Sequence, residues 1–333
     1  MNKVALIVCL FLAACNETTK TDMKTIGTIE RLDASLDSLV DPNAKPEIIA
    51  EGFDWSEGPL WIPEHQMLLF SDIPPNTIYK WTEKGGKEVY LNPSGYTGDT
   101  SRGGEVGANG LILRADGKLT MCQHGDRRMA WMDAPLTAPQ PKYVTIADNW
   151  QGKKFNSPND AVYRSNGDLF FTDPPYGLEK NMDDPLKEIP FQGVFKATPT
   201  GEVTLLTDSI TRPNGLAFLP GERTIIIANS DPNKAVWYLF DIGPGDTLIS
   251  AGLLYDATEE GKKEKGSPDG LKVDKQGNIF ATGPGGIWIF NKERKVIGKV
   301  KIPESCSNIA LADDDKTLYI TADMYVLRLK LRK

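Results

Sequence analysis

Six phrases in this 333-residue chain begin with an oxygen-bearing side chain and run into an apolar stretch. They are EGPLWIPEHQMLLFSD from Glu57, NGLILRADGKLTMCQH from Asn109 and NDAVYRSNGDLFFTD from Asn159. NGLAFLPGERTIIIANS from Asn214, DGLKVDKQGNIFATG from Asp269 and NIALADDDKTLYITAD from Asn308 complete the set. Taken singly, an Asn or Asp before Gly is a turn former that hydrogen-bonds its own backbone. Glu57 does not fit that reading, because Glu is not a preferred turn residue. Gathered at one axis, the six would supply two carboxylates and four amides. Such a ring suits a hard cation: calcium takes about six to eight oxygen ligands, with waters completing the shell. Two carboxylates match its double charge, and amides finish the shell without over-charging it. The chain has only two histidines and no Cys/His cluster of the kind that zinc, copper or iron favours.

The elements that could gather these residues are strands. Within the copies, turns such as ADG, SNG, PGE, KQG and DDD separate stretches that alternate and favour Leu, Ile, Val, Phe and Tyr. That is hairpin chemistry between half-buried strands. Successive copies start 52, 50, 55, 55 and 39 residues apart. A period near ~50 with four strands per unit is that of a β-propeller blade. No stretch of helical periodicity competes. The spacing therefore predicts an all-β fold, a six-bladed β-propeller over residues 45–333. Its last copy has room for three strands, over 308–312, 317–322 and 325–331. An N-terminal strand from PEIIAEGF would pair into that last blade and close the ring, leaving no open edge. In such a fold the innermost strands line one channel, and the six leading residues meet there.

Other residues carry possible roles. His124, in CQHGDRR, ends the second β-stretch of its copy, in the slot that Asp72 and Asp323 hold in theirs. It is a candidate base, or a rim histidine bonded to a neighbouring strand. His65 falls in a hairpin turn and is expected to be exposed. Arg127, Arg128 and Tyr176 could contact a polyol or carboxylate from the rim. A serine nucleophile is not indicated, since there is no G-x-S-x-G and GSPDG lacks the strand–turn–helix setting.

With these phrases in view, the chain resembles the gluconolactonase, senescence-marker-protein and luciferin-regenerating-enzyme family of six-bladed calcium propellers. EGPLW, CQHGDRR, FNSPNDAV, GDLFFTDPPYG, RPNGLAF, SPDGLKVD, GNIFATGPGGIWIF and KTLYITA carry the resemblance, which spans nearly all of residues 51–333. FTDPPYGL and GPGG are most similar to bacterial gluconolactonases. The resemblance implies that Glu57, Asn214 and Asp269 bind the metal and that Asp269 also handles the proton. It implies that Asn159 contacts metal, substrate or both. Asn109 joins Asn159, Arg127 and Tyr176 as expected substrate contacts. One departure stands out: some members have an Arg two residues before the ND-phrase Asn, where this chain has Ser157, so Arg127 or Arg128 is expected to take that place. In the related serum paraoxonases a histidine near the position of His124 takes part in lactone hydrolysis. Calcium is the expected cofactor, with magnesium, zinc or manganese as substitutes. The implied reaction is opening of a sugar lactone, with the metal polarising the carbonyl and Asp269 positioning or deprotonating water. The alternatives are another metal-dependent esterase or phosphotriesterase, or a propeller that binds without catalysis.

The net charge of −7 argues against a nucleic-acid partner, which would need clustered Lys and Arg. The expected partner is a small lactone. MNKVALIVCLFLAAC reads as an export signal, because its apolar run is too short to span a bilayer permanently. The LAAC ending resembles a bacterial lipobox, implying cleavage after residue 14 and a lipid on Cys15. The domain would then lie in the periplasm or at the cell surface, held to membrane only by that lipid. Residues 15–44 are polar and read as a flexible tether. Cys122 and Cys306 lie in strand-like apolar surroundings and are expected to be buried thiols rather than a disulfide framework.

Overall fold

A computed structural model describes residues 23–313 and 315–332, so the segment read as an export signal and Cys15 lie outside the described residues. Six antiparallel sheets, five of four strands and one of five, follow one another along the chain, one for each copy of the repeat. Their first strands are Ser56–Ile62, Ala108–Leu113, Ala161–Tyr163, Pro213–Phe218, Leu271–Val273 and Cys306–Ala312. These are the blades of a six-bladed propeller, numbered one to six from Ser56. The last blade has strands Cys306–Ala312, Thr317–Ala322 and Tyr325–Lys330. Its fourth strand is Glu47–Glu51, which pairs antiparallel with Tyr325–Lys330. A small additional hairpin, Asn149–Trp150 with Lys153–Lys154, lies between blades two and three in sequence.

The core is divided into six hydrophobic clusters, one for each interface between neighbouring blades. The second strand of each blade is buried on both faces, so it reads as a continuous apolar run rather than an alternating one. In Thr224–Asn229, Ile225 and Ile227 pack toward blade three, while Ile226 and Ala228 pack toward blade five. In Leu169–Asp173, Phe171 faces blade two and Phe170 faces blade four. Full burial of one such side chain contributes about 1.5–3 kcal/mol. Cys122 and Cys306 are free thiols buried in different interfaces, between blades two and three and between blades five and six.

The segment expected to be a flexible tether is ordered from Thr25 on, which corrects the domain boundary. Thr25 bridges Glu47, and Thr28–Arg31 pairs with Val296–Lys301 as a fifth strand on blade five. Asp33 then caps a short 3-10 turn, Ala34–Ser38. Leu36, Leu39 and Val40 enter the interface between blades five and six. Three well-spaced apolar side chains within a polar stretch are enough to dock it, and its composition concealed them.

Candidate active site

The first residues of the repeats do converge. Glu57, Asn109, Asn159, Asn214 and Asp269 line one cavity of about 300 Å³ at the channel, with Trp55, Glu105, Tyr176, Ser230, Ser267 and Ser305. That volume is at the small end for ligand sites and suits a monosaccharide-sized molecule. Asn308 stands out of the cavity. Its Nδ2 donates to Glu57 Oε2 (3.1 Å) and toward Asp160 Oδ2 (3.4 Å), while its Oδ1 accepts from Lys272 Nζ (3.2 Å).

Two local devices bring the ring together. The first is a clamp at the end of the second strand of a blade. Asp72 Oδ1 accepts from the backbone N–H groups of Asp54 and Trp55, at 3.1 and 3.0 Å. Asp173 accepts from those of Asn156 and Ser157, both at 2.8 Å. Asn229 Oδ1 accepts from that of Arg212 at 2.8 Å. In each case the last clamped residue lies two places before the ring residue, Glu57, Asn159 or Asn214. Ser157 Oγ also donates to the Pro174 carbonyl (2.6 Å) and accepts from the Gly177 N–H (2.9 Å), so the PPYG and SPND phrases are parts of one support. The second device is the glycine after the ring residue. A Cβ at Gly58 would meet the Asn109 carbonyl oxygen at 2.1 Å, and one at Gly215 the Asp269 carbonyl oxygen at 2.2 Å. Only glycine lets adjacent inner strands approach this closely.

The chemistry of the ring lies in its orphan oxygens. Asn109, Asn159, Asn214 and Asp269 each have a buried Oδ1 with no hydrogen-bond partner among the described residues. Buried polar atoms are normally paired, and leaving one unpaired costs about 1–3 kcal/mol. Four together, beside the buried Glu57 carboxylate, form a set of hard acceptors that fits an oxygen-loving divalent cation. Among the described residues no group of three or more His, Cys, Asp or Glu assembles, so the set depends on amides. Burial pushes the Glu57 carboxyl up to about 8, with the Asp160 carboxylate adding to it and Gly58 N–H, Asn308 and Lys272 opposing. Burial likewise raises Asp269 well above the usual carboxylate range, with Glu57, Asp160 and Glu105 adding to it. The Tyr176 phenol is pushed up to about 12 by burial and by the nearby Asp269 carboxylate.

Three expectations are corrected. Arg127 is buried and does not line the cavity: its Nε donates to the Phe155 carbonyl at 2.6 Å. Arg128 is held by Gln123, Thr145 and Asp126. Both guanidiniums are thus committed to structural acceptors around the clamp of blade three and the side of blade two. His124 is fully buried and also absent from the cavity wall, so it has no direct approach to a water or substrate there. The register places Ser56 opposite Asp72, Ala108 opposite Gln123 and Pro213 opposite Asn229. Gln123, not His124, is therefore the counterpart of Asp72, and His124 corresponds to Ser230.

Glu105, Ser230, Ser267 and Ser305 were missed in the sequence. Glu105, Ser267 and Ser305 come from connections outside the repeated phrases, where no periodicity marks them, while Ser230 closes the phrase that begins at Asn214 and only the strand register brings it to the site. Glu105 sits in a loop held by Arg102, which donates to the carbonyls of Gly125 (2.9 Å) and Gly177 (2.5 Å).

Comparison with known proteins agrees with this fold. The model of the SMP-30/Gluconolactonase/LRE-like region matches residues 55–323. The chain is 36% identical over 314 residues to a gluconolactonase of Zymomonas mobilis, covering 92% of this chain and 87% of that one. A solved gluconolactonase of Xanthomonas campestris superposes with a TM-score of 0.77 at 25% identity, covering 92% of this chain and 97% of that one. A luciferin-regenerating enzyme shares the fold, with a TM-score of 0.66 at 18% identity over 91% of this chain and 95% of that one. The chain belongs to the SMP-30/gluconolactonase/LRE-like family.

Proposed function

We propose that this protein opens a sugar lactone by hydrolysis, with a calcium ion held by Glu57, Asn159, Asn214 and Asp269. The observation that carries this reading is the group of four buried, unpartnered oxygens facing one small cavity beside Glu57. Kinship with a gluconolactonase of Zymomonas mobilis supports the choice of reaction. Bound there, calcium would supply a Lewis acid for the carbonyl oxygen of the ring ester.

The chain's own residues account for the rest. The wall of the cavity is rich in hydroxyl and amide groups, from Asn109, Tyr176, Ser230, Ser267 and Ser305, as a hydroxyl-rich substrate requires. Tyr176 stays neutral at neutral pH and can donate a hydrogen bond to the substrate. Asp269 aligns the attacking water. A carboxylate that also holds a cation is a weak base, so alignment is the greater part of its role. Attack of water on the carbonyl carbon forms a new C–O bond. Collapse breaks the bond to the ring oxygen, which leaves as the hydroxyl of the opened acid after taking up a proton.

The test is hydrolysis of glucono-1,5-lactone, an aryl ester and a phosphotriester by wild type and Asp269→Ala. Turnover confined to the lactone and abolished by Asp269→Ala is expected. Activity on the aryl ester or phosphotriester alone would assign another hydrolase, and unchanged lactone turnover in Asp269→Ala would remove the site. We further propose export and lipidation at Cys15, supported by the LAAC phrase. Labelling by a palmitate analogue, lost in Cys15→Ser, is the expected outcome.

A further inference from the structure

An amide of the ring can serve a cation only if its oxygen, not its NH2 group, faces the channel. The two ends of a carboxamide have nearly the same shape, so their neighbours decide the orientation. For Asn214 the neighbour is Ser230. Its hydroxyl donates to the Pro268 carbonyl at 2.9 Å, which leaves a lone pair for Asn214 Nδ2 at 2.8 Å. Asn214 Oδ1 is thereby turned to the cavity. His124 is the register counterpart of Ser230 in blade two, and it stands beside Asn159: Nε2 lies 3.4 Å from Asn159 Nδ2.

A neutral imidazole accepts at Nε2 only when its proton is on Nδ1. His124 Nδ1 faces Glu105 Oε2 at 3.5 Å and has no hydrogen-bond partner within the usual limits among the described residues. A carboxylate beside Nδ1 favours the proton there. The ring is fully buried, with Gly177 packed so closely on it that a Cβ there would meet His124 Cβ at 2.6 Å. The loop of Glu105 is pinned over the same place by Arg102.

We propose that His124, its proton kept on Nδ1 by Glu105, is a positioning residue that turns Asn159 Oδ1 into the channel. This rests on the cation-dependent reading of the site. With the proton on Nε2 instead, the ring would draw Asn159 Oδ1 to itself and present two N–H groups to the cation. Glu105 and His124 thus act through Asn159.

Two measurements test this. The chain has two histidines, so a protein labelled with nitrogen-15 histidine shows two rings, and His124→Gln identifies which is which. The expected state of His124 at neutral pH is the neutral Nδ1–H form with a bare Nε2. An Nε2–H form would overturn the proposal. The second measurement is calcium titration by calorimetry. His124→Phe keeps a ring but no acceptor, and is expected to bind calcium about tenfold more weakly, as loss of a ligand-orienting partner does. His124→Gln restores an acceptor and is expected to recover most of the affinity. In an Asn159→Asp background either rotation presents an oxygen, so His124→Phe should then change calcium affinity less than about twofold. Equal losses in both backgrounds would overturn the proposal. Failure of wild type to take up calcium would instead overturn the cation reading, and the proton position would still decide the role of His124.

Discussion

Glu57 and Asp269 face one cavity, and desolvation disfavours their ionised forms, with Asp160 adding to the effect on Glu57 and Glu57 to that on Asp269. Glu57 titrates in the folded chain at about 8, against about 4.3 when unfolded. Between these values the folded chain holds a proton that the unfolded chain has released. The contribution of Glu57 is therefore most favourable below the unfolded value and is lost as pH rises through the folded one. In chelator, the Tm of wild type is expected to fall relative to Glu57→Gln between about pH 5 and 8. Saturating calcium should flatten that difference, because a cation favours the ionised form. A difference that grows in the opposite direction would contradict the assigned burial of Glu57. At the same scale, Asp269→Asn keeps the shape but loses a charge. It is expected to lower kcat about 10²–10³-fold and to weaken calcium binding, checked by steady-state kinetics and calorimetry. The ring residues were legible in the sequence because they recur at a fixed place in each copy. Glu105 was not, because it belongs to a loop that occurs once.

At the scale of the element, the clamp fixes the backbone of FNSPND to the end of the neighbouring strand. Asp173 ties Asn156 and Ser157 by their backbone N–H groups, and Asn156 Nδ2 donates back to the Asp173 and Phe191 carbonyls. Asp173→Ala would leave two buried donors unpaired. A loss of about 2–5 kcal/mol is expected in urea unfolding, from about 1–3 kcal/mol per orphaned group. The blade-three loop should also lose amide-exchange protection ahead of the other blades. Equal protection in all blades would show that the clamp is not what holds the loop. The strands themselves were readable from apolar runs and turn residues. The clamp was not, since its partners lie 16 to 18 residues apart and only the strand register brings them together. The same register moved His124 one place away from the slot of Asp72. The glycines after Glu57 and Asn214 matter for close approach of neighbouring strands, a role that only the packed structure reveals.

At the scale of the molecule, the ring and its blade count follow from the repeat, while the start of the folded body does not. Leu36 is fully buried between blades five and six, although its segment is polar overall. Leu36→Ala is expected to cost about 2–5 kcal/mol in denaturant unfolding, as core truncations do. A neutral result would mean that this segment detaches in solution. The central claim, however, is that one cation in the channel both completes the ring and enables lactone hydrolysis. Its most direct test is a single titration on purified protein stripped with chelator, following glucono-1,5-lactone hydrolysis as calcium is returned. The expected result is negligible turnover without metal and full recovery at one calcium per chain, with no recovery in Asp269→Ala. Undiminished hydrolysis by metal-free protein would contradict the account.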